Sequence, residues 1–367
     1  MTTNELIALL RLQRIPNIGD VTAKKLIAHC GSAEAIFSDK PYRLQQIDGV
    51  GTKILTGIKE STYLTAAENE YRYIEKHQVK VTAYTDPEYP EYLKHCIDGP
   101  ILLFQKGNID LRNRKILSIV GTRKITGYGL ALCERLLEDL APLDPLIVSG
   151  FAYGVDICAQ RAAVKQGLQT IGCLAHGLNQ MYPKVHDRYS GQVMQNGGFV
   201  TEFWSSSSPE RENFLKRNRI IAGMAEATVV IESAEKGGSL VTADIANSYD
   251  REVFAFPGRA QDAYSVGCNN LIKRQQAHMV TSAADIIYLL GWDVPVREKK
   301  VAQQQLFVNL DPMEQTIYDY LQKAGKQEMD QIALECKLPV FKTSSTLLNM
   351  EMKGAIRPLP GKLFEAV

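Results

Sequence analysis

Apolar and polar positions alternate in three different ways along this chain. Through about residue 65, short apolar clusters at helical spacing are broken by tight turns, which predicts a small helical domain over 1–65. From 66 to 292, short β-branched runs alternate with helical stretches: Ile116–Val120, Leu146–Val148, Thr170–Leu174, Phe199–Phe203, Thr228–Ile231 and Val253–Phe256. Such alternation predicts an α/β domain with a parallel sheet covered by helices on both faces. Val79–Tyr84 and Ile101–Phe104 add strands at one end. Residues 293–308 lose periodicity and carry Arg297-Glu298-Lys299-Lys300 and Gln303-Gln304-Gln305, the composition of a linker. Beyond it, over 309–367, Asp311-Pro312 opens one helix, with others expected around Glu328–Cys336 and Val340–Lys353. The turn Arg357-Pro358-Leu359-Pro360-Gly361-Lys362 between two short strands completes a winged-helix layout.

Two turns of the first domain look alike. Ile15-Pro16-Asn17-Ile18-Gly19 and Ile47-Asp48-Gly49-Val50-Gly51 each precede a helix, the helix-hairpin-helix pattern found also in SAM-like domains. Glycines there permit positive φ, and the amides of the following helix are free for a phosphate. In the first copy Asn17 replaces a glycine. The segment to Thr65 carries a net charge of only +2, weak support for a DNA contact.

Composition narrows the field by exclusion. A hydrophobic share of 45% and a charged share of 23% are ordinary for globular domains. The net charge of +1 means that any polyanion must be met by a local patch. The start Met1-Thr2-Thr3-Asn4-Glu5 lacks the pattern of a secretory signal, and no apolar run is long enough to span a membrane. The 7 cysteines are scattered without a Cys-x-x-Cys pair, so no zinc or redox site is indicated and a cytoplasmic location is expected.

The strands of the α/β region end in small and polar residues. Ile119-Val120 runs into Gly121-Thr122-Arg123, Val148 into Ser149-Gly150-Phe151-Ala152-Tyr153-Gly154, and Leu174 into Ala175-His176-Gly177. Ile231 leads through Glu232-Ser233 to Lys236-Gly237-Gly238-Ser239, just before a helix. In a doubly wound fold these ends share one edge, where free amides and helix dipoles favour anions. Three cationic stretches belong near it. These are Arg123-Lys124, the loop Tyr182-Pro183-Lys184 with Arg188, and Lys216, Arg217 and Arg219 on a helix. Rings beside cations suit single-stranded nucleic acid, stacking on bases while the cations meet phosphates. Alternatively, these are solvated surface cations, and Arg217-Asn218-Arg219 bonds neighbouring strand-end carbonyls. The spacing from Gly121 to Gly127-Tyr128-Gly129 does not fit a dinucleotide fingerprint, and no Walker loop is present, so no cofactor is expected. Asp156, Glu202, Glu232 and Asp244 lie near strand ends or helix starts, but no spacing among them fixes a catalytic mechanism. No catalytic or metal-binding residue is assigned.

Six segments in register resemble the DNA-processing protein A (DprA, or Smf) family: Val148–Asp156, Gly177-Leu178-Asn179 with Tyr182-Pro183-Lys184, Asn218–Gly223, Gly237–Ala243, Phe256-Pro257-Gly258 and Gly267–Ile272. The resemblance implies an extended Rossmann-like core and a cytoplasmic, homodimeric recombination mediator without enzymatic activity. It would bind incoming single-stranded DNA in natural transformation, load RecA onto it and help displace single-strand binding protein. It also implies that Arg123, following Gly121-Thr122, and Lys184, following Tyr182-Pro183, contact the strand. Tyr153 and Gln160 stand where the family often has a basic residue and a histidine, which would thin the positive surface. The winged helix fits the family, yet residues 309–367 carry net charge −1, against what a groove-reading helix wants and in favour of a protein contact.

Two rivals remain. A nucleotide hydrolase of the lysine-decarboxylase-like type would need Pro-Gly-Gly-x-Gly-Thr and a nearby glutamate, which Lys236–Ala243 lacks. A regulator whose core senses a mononucleotide would bind without preference for longer strands.

Overall fold

The structure is a computed structural model that describes residues 1–112, 114–293, 310–359 and 361–366. The chain divides into two compact units, Met1–Pro295 and Val296–Val367. Apart from Asp293, the linker expected over 293–308 lies outside the described residues.

The first unit opens with helices α1 (Thr3–Arg14), α2 (Asp20–Cys30), α3 (Ala33–Ser38), α4 (Pro41–Leu44), α5 (Thr52–Lys59) and α6 (Ser61–His77). Thr2 caps α1 by accepting the Glu5 amide, and Leu6, Leu9 and Leu10 give the helix its buried face. The two look-alike turns are present: Asn17 (φ 65°) and Gly49 (φ 88°) take the left-handed conformation, and Gly19 and Gly51 cap α2 and α5. The helical part extends past the boundary expected at residue 65, because α6 continues through Ala67 and Ile74, which pack into the core of the bundle.

The sheet follows. In chain order the elements are β1 (Lys80–Ala83), α7 (Glu91–Lys94), β2 (Leu102–Gly107), β3 (Ile116–Val120), α8 (Gly127–Leu140), β4 (Leu146–Ser149), α9 (Val155–Lys165), β5 (Thr170–Cys173), α10 (Asp187–Gln195), β6 (Gly197–Thr201), α11 (Arg211–Met224), β7 (Ala227–Val230), α12 (Gly238–Ser248), β8 (Glu252–Ala255), α13 (Val266–Lys273), β9 (His278–Met279) and α14 (Ala283–Leu289). The strand order is β1-β2-β6-β5-β4-β3-β7-β8-β9, parallel from β6 to β9, with β1 and β2 antiparallel at one edge. Burial follows the two-residue period of a strand. Ile116 and Val120 pack with Ile220, Ile221, Ala243 and Leu271 of α11, α12 and α13. Leu117 and Ile119 pack on the other face with Cys133, Leu137, Ala159 and Ile286 of α8, α9 and α14. No helix among the described residues is long and apolar enough to cross a membrane.

After β3 the chain winds outward through β4, β5 and β6, then returns along α11 to place β7 on the other side of β3. The winding reverses there, and such a reversal leaves a crevice beyond the carboxyl ends of the two strands.

The helical bundle docks on the sheet through shared apolar residues and a polar clasp. Ile101, Leu102, Phe104 and Trp204 belong to the same buried cluster as α1 and α2. Trp204 Nε1 donates to Gln13, and Glu70 accepts from the amide and hydroxyl of Ser205. Asp20 accepts the Ile101 amide at 2.8 Å and pairs at 3.1 Å with Arg219 of α11, which also pairs with Glu202. The first look-alike turn therefore leads into a helix start occupied by the protein itself, whereas Gly49, Gly51 and Thr52 of the second are exposed.

Burial pushes the Glu202 carboxyl up to about 7, against the pull of Arg219. A folded-state pKa above the unfolded value means that the folded state holds this proton more tightly. The contribution of Glu202 is greatest below pH 4.5 and declines as pH rises to about 7. The stability of the protein relative to Glu202→Gln is thus expected to fall across that window in urea midpoints. Parallel pH profiles for the two proteins would contradict it.

The second unit contains α15 (Pro312–Ala324), β10 (Gln327–Glu328), α16 (Met329–Glu335), α17 (Val340–Met352), β11 (Ile356–Leu359) and β12 (Leu363–Ala366), with strand order β10-β12-β11. Asp311 accepts from the Met313 and Glu314 amides while Glu314 reaches back to the Asp311 amide, a reciprocal cap completed by Pro312 at the first turn. Ile317, Leu321, Ile332, Leu347, Met350 and Ile356 form its core. This is a winged-helix domain.

Candidate nucleic-acid interface

Beyond the ends of β3 and β7 lies a cleft of about 660 Å³. Its floor is the loop after β3. Gly121 is required by close packing, because a Cβ would meet Val155 Cγ2 at 2.4 Å and the Glu232 carbonyl oxygen at 2.8 Å. The Thr122 amide donates to the Glu232 carbonyl at 2.7 Å, and the Val155 amide donates to the Thr122 carbonyl at 3.1 Å. The loop is thus tied to the end of β7 on one side and to the start of α9 on the other, and it presents Arg123 outward.

One wall is α12, whose first turn, Gly238-Ser239-Leu240, follows an extended Gly237 with no side-chain cap. Ser233 and Ser239 share a hydroxyl–hydroxyl contact of 2.9 Å, and the Ser233 carbonyl accepts the Gly267 amide. The uncapped amides of α12 face the cleft that Gly237, Gly238 and Ser239 line, the arrangement that suits an anion. The start of α8 is closed by contrast, since Glu232 accepts both the amide and the hydroxyl of Thr126.

The opposite wall is aromatic. Phe214 of α11 sits among Tyr182 (ring centroids 5.8 Å apart), Arg123 (5.5 Å) and Arg217 (5.8 Å). Tyr153 and Tyr182 are each about half exposed at the rim. The Tyr182 amide donates to His176 Nε2, which leaves His176 Nδ1 to donate to the Gly177 carbonyl at 2.9 Å. Burial lowers the His176 pKa, so the ring holds this neutral form and fixes the loop that carries Tyr182 and Lys184.

The lining includes Arg123, Arg211, Arg217 and Lys236 against one carboxylate, Asp156. Arg217 is buried and donates to the Gly150 and Cys173 carbonyls at 2.6 Å, beneath the cleft. Gly150 leaves the room for this, since a Cβ there would meet Arg217 Nη1 at 2.2 Å and Asp156 Oδ2 at 2.5 Å. Burial raises the Asp156 pKa, while Arg217 opposes the rise. The cleft is therefore positive overall, with a guanidinium built into its floor.

Of the residues singled out from the sequence, Gly121, Thr122, Arg123, Tyr182, Arg217, Gly237, Gly238 and Ser239 line this one cleft. Lys184 and Arg188 are exposed just beyond Tyr182, with Arg188 lying 4.7 Å over the Tyr189 ring. Lys124 is exposed, and its amide is held by Thr122 Oγ1. Lys216 and Arg219 belong elsewhere. They line a second cleft of about 730 Å³ between the helical bundle and the sheet, where Arg14 is the third cation and Asp20, Asp98, Glu202 and Glu210 outnumber them. Gln160 is fully buried, so that departure from the family pattern does not thin the surface. Exposed Tyr153 replaces charge with a ring at the rim instead.

Among the four candidate acids only Asp156 lines the cleft; Glu202 is paired with Arg219, Glu232 caps α8, and Asp244 is exposed on α12. The sequence reading missed Phe214 and Arg211, while Lys236 was named in its glycine turn without being counted among the cations. For the first two a signal existed: Arg211, Phe214, Leu215 and Asn218 recur at three- and four-residue spacing and so share one face of α11.

A family profile described as DNA recombination-mediator protein A matches residues 80–291, and one described as DprA winged helix domain matches 302–362. Among curated proteins, the chain is 34% identical to Protein Smf of Escherichia coli over 282 residues, covering 74% of each chain. It is 36% identical to the DNA processing protein DprA of Streptococcus pneumoniae over 202 residues, 55% of this chain and 71% of that one. Among solved structures, DNA processing protein A of S. pneumoniae aligns with a TM-score of 0.64 at 28% identity, covering 78% of this chain and 98% of that one. A structure of DNA processing protein A from Helicobacter pylori, described for its single-stranded DNA binding mode, aligns with a TM-score of 0.53 at 27% identity over 59% of this chain and 98% of that one.

Proposed function

The chain belongs to the DNA recombination-mediator protein A family, known as DprA or Smf, and on that premise we propose that its core cleft grips single-stranded DNA so that RecA can be loaded onto the strand. The observation that carries this reading is the convergence of Arg123, the uncapped start of α12 and the Phe214–Tyr182 ring pair on one positive cleft. A phosphate would sit between the Arg123 guanidinium and the amides of Gly238 and Ser239. The neighbouring base would meet the rings at the rim, and Lys184 and Arg188 would continue the path along the backbone. Contacts of this kind bind any sequence, and they favour a single strand because a duplex keeps its base faces stacked inside. The single-stranded DNA binding of the H. pylori relative supports the same reading.

In this reading the protein works in the bacterial cytoplasm during natural transformation, displaces single-strand binding protein indirectly, and is a homodimer. The exposed Met279 on edge strand β9 and the exposed Tyr288 and Leu289 on α14 supply an apolar face for the second copy. No reaction is assigned, since the acids near the cleft are buried, paired or dispersed.

The direct test is a fluorescence anisotropy titration of a labelled single strand over several salt concentrations, with a duplex of equal length as competitor. Strand-selective affinity falling with salt by ~0.7 log units per log unit for each phosphate contact is expected. RecA ATPase on a strand covered by single-strand binding protein should then rise when this protein is added. A folded sample that binds no strand at low salt would overturn the proposal, and a mononucleotide bound as tightly as a long strand would favour the regulator.

A further inference from the structure

Arginines that stack on a ring fall into two groups. Arg11, Arg217 and Arg251 also donate to backbone carbonyls, at 2.6, 2.6 and 3.0 Å, and so serve the fold. Arg14, Arg123, Arg161 and Arg188 are held by a ring while no hydrogen bond or ion pair engages them among the described residues. A guanidinium in that posture is already oriented and keeps its N–H fork free, the state suited to a phosphate. Arg14 stands in the second cleft among carboxylates. That leaves Arg123 in the first cleft, and Arg161 and Arg188 outside it.

Arg161 and Arg188 lie over the same ring, that of Tyr189, at 5.0 and 4.7 Å from its centroid. Tyr189 belongs to α10 and packs on the cluster of Phe151 and Phe199, and Arg161 reaches it from α9. The two cations therefore stand within roughly 10 Å of each other, about one screening length at ordinary salt. The exposed acids Glu134, on α8, and Asp187, beside Arg188, form no ion pair with either. Lys165, exposed one turn beyond Arg161, adds a third positive charge to the same face of α9. Like charges gathered without a counter-charge repel, and a bound anion removes that cost.

The pair also continues a line of rings from the first cleft. Tyr153 lines that cleft and meets the His186 ring at 4.9 Å, and His186 meets Tyr189 at 6.4 Å. His186 Nδ1 donates to the Phe151 carbonyl at 3.0 Å, which pins the turn carrying Lys184 just beyond β4. Tyr153 and Tyr189 are thus within roughly 11 Å, the length of about three stacked nucleotides at ~3.4 Å each.

We propose that Arg161, together with Arg188 on the shared Tyr189 ring, forms a second phosphate station that grips a strand again after it leaves the first cleft past Tyr153. The station makes the protein select strands by length, since a short strand fills the cleft alone and a long one engages both. Backbone contacts of this kind add affinity without reading sequence. The proposal rests on the reading of the first cleft as the DNA site.

Anisotropy titrations of the full chain with a strand of ~6 nucleotides and one of ~20 test it. Arg161→Gln is expected to weaken the long strand ~10-fold and flatten its salt slope by ~0.7, while the short strand changes less than ~2-fold. Arg161→Lys keeps the charge but not the fork, so it should restore the slope and only part of the affinity. Arg135→Gln removes a cation of the neighbouring α8, paired there with Asp139, and should alter neither strand. Because Arg161 is exposed, melting curves should be unchanged. Unchanged long-strand affinity in Arg161→Gln, or equal losses for both strands, overturns the station. The first cleft then still stands if Arg123→Ala weakens the short strand. A folded protein that binds neither strand overturns both readings.

Discussion

Arg123→Ala is expected to weaken single-stranded DNA binding ~10–100-fold, the loss of a charge-assisted contact worth ~1.5–3 kcal/mol. The loss should be nearly the same for every sequence tested, and the slope of log affinity against log salt should flatten by ~0.7. Arg123 is exposed and lies over the Phe214 ring, so the folded state has little to lose by the change. Lys184→Ala should act in the same direction. The two effects should add if both groups meet phosphates on one path, since Arg123 and Lys184 lie on separate loops. Phe214→Ala separates stacking from charge: affinity should fall while the salt slope stays. Unchanged affinity and slope in Arg123→Ala would remove that residue from the site.

The largest stability effect is expected at Gly154. Its φ of 77° with ψ of −123° is a conformation open essentially to glycine alone, and a Cβ there would lie 2.1 Å from the Thr122 carbonyl oxygen. Gly154→Ala must therefore either move the Thr122 loop or distort the start of α9. A cost of ~3 kcal/mol or more is expected, lowering the melting temperature by ~6–12 °C. DNA affinity should fall as well, since the same carbonyl receives the Val155 amide and that loop carries Arg123. Gly167 provides the control. It too has positive φ, 73°, but nothing lies within 4 Å of its Cβ position, so Gly167→Ala should cost only ~1–2 kcal/mol. Equal melting temperatures for the two variants would show that backbone conformation, and not the Thr122 contact, sets the cost.

Much of this architecture is legible in the residues because the local signals agree. Ile116–Val120 is buried on both faces, so it reads as a continuous apolar run, and Asp311-Pro312 caps its helix as its chemistry dictates. The two-residue strand β9 was missed because His278-Met279 has no pattern of its own and gains its place from pairing with Phe254 and Ala255. The glycine-rich loops announced the cleft, since Gly121 and Gly150 each answer a close approach at a strand end. The cationic run on α11 misled in part. Lys216, Arg217 and Arg219 are nearly adjacent in sequence, yet one helical turn sends them to the second cleft, beneath the first and into the clasp with Asp20. Residue type revealed the charge, and only the packing of α11 revealed which charges are free to meet a ligand.

The clasp between the helical bundle and the sheet limits how the protein can be shortened. A chain begun at Lys80, where the family profile begins, would keep the whole cleft proposed for DNA but strip the cover from Ile101, Leu102, Phe104 and Trp204. It would also leave the Arg219–Glu202 pair open to water and the Ile101 amide without Asp20. Such a core would carry an apolar face of the kind that drives aggregation, and its poor solubility could be mistaken for a loss of DNA binding. The helical domain thus covers an apolar edge of the sheet, whatever else it touches.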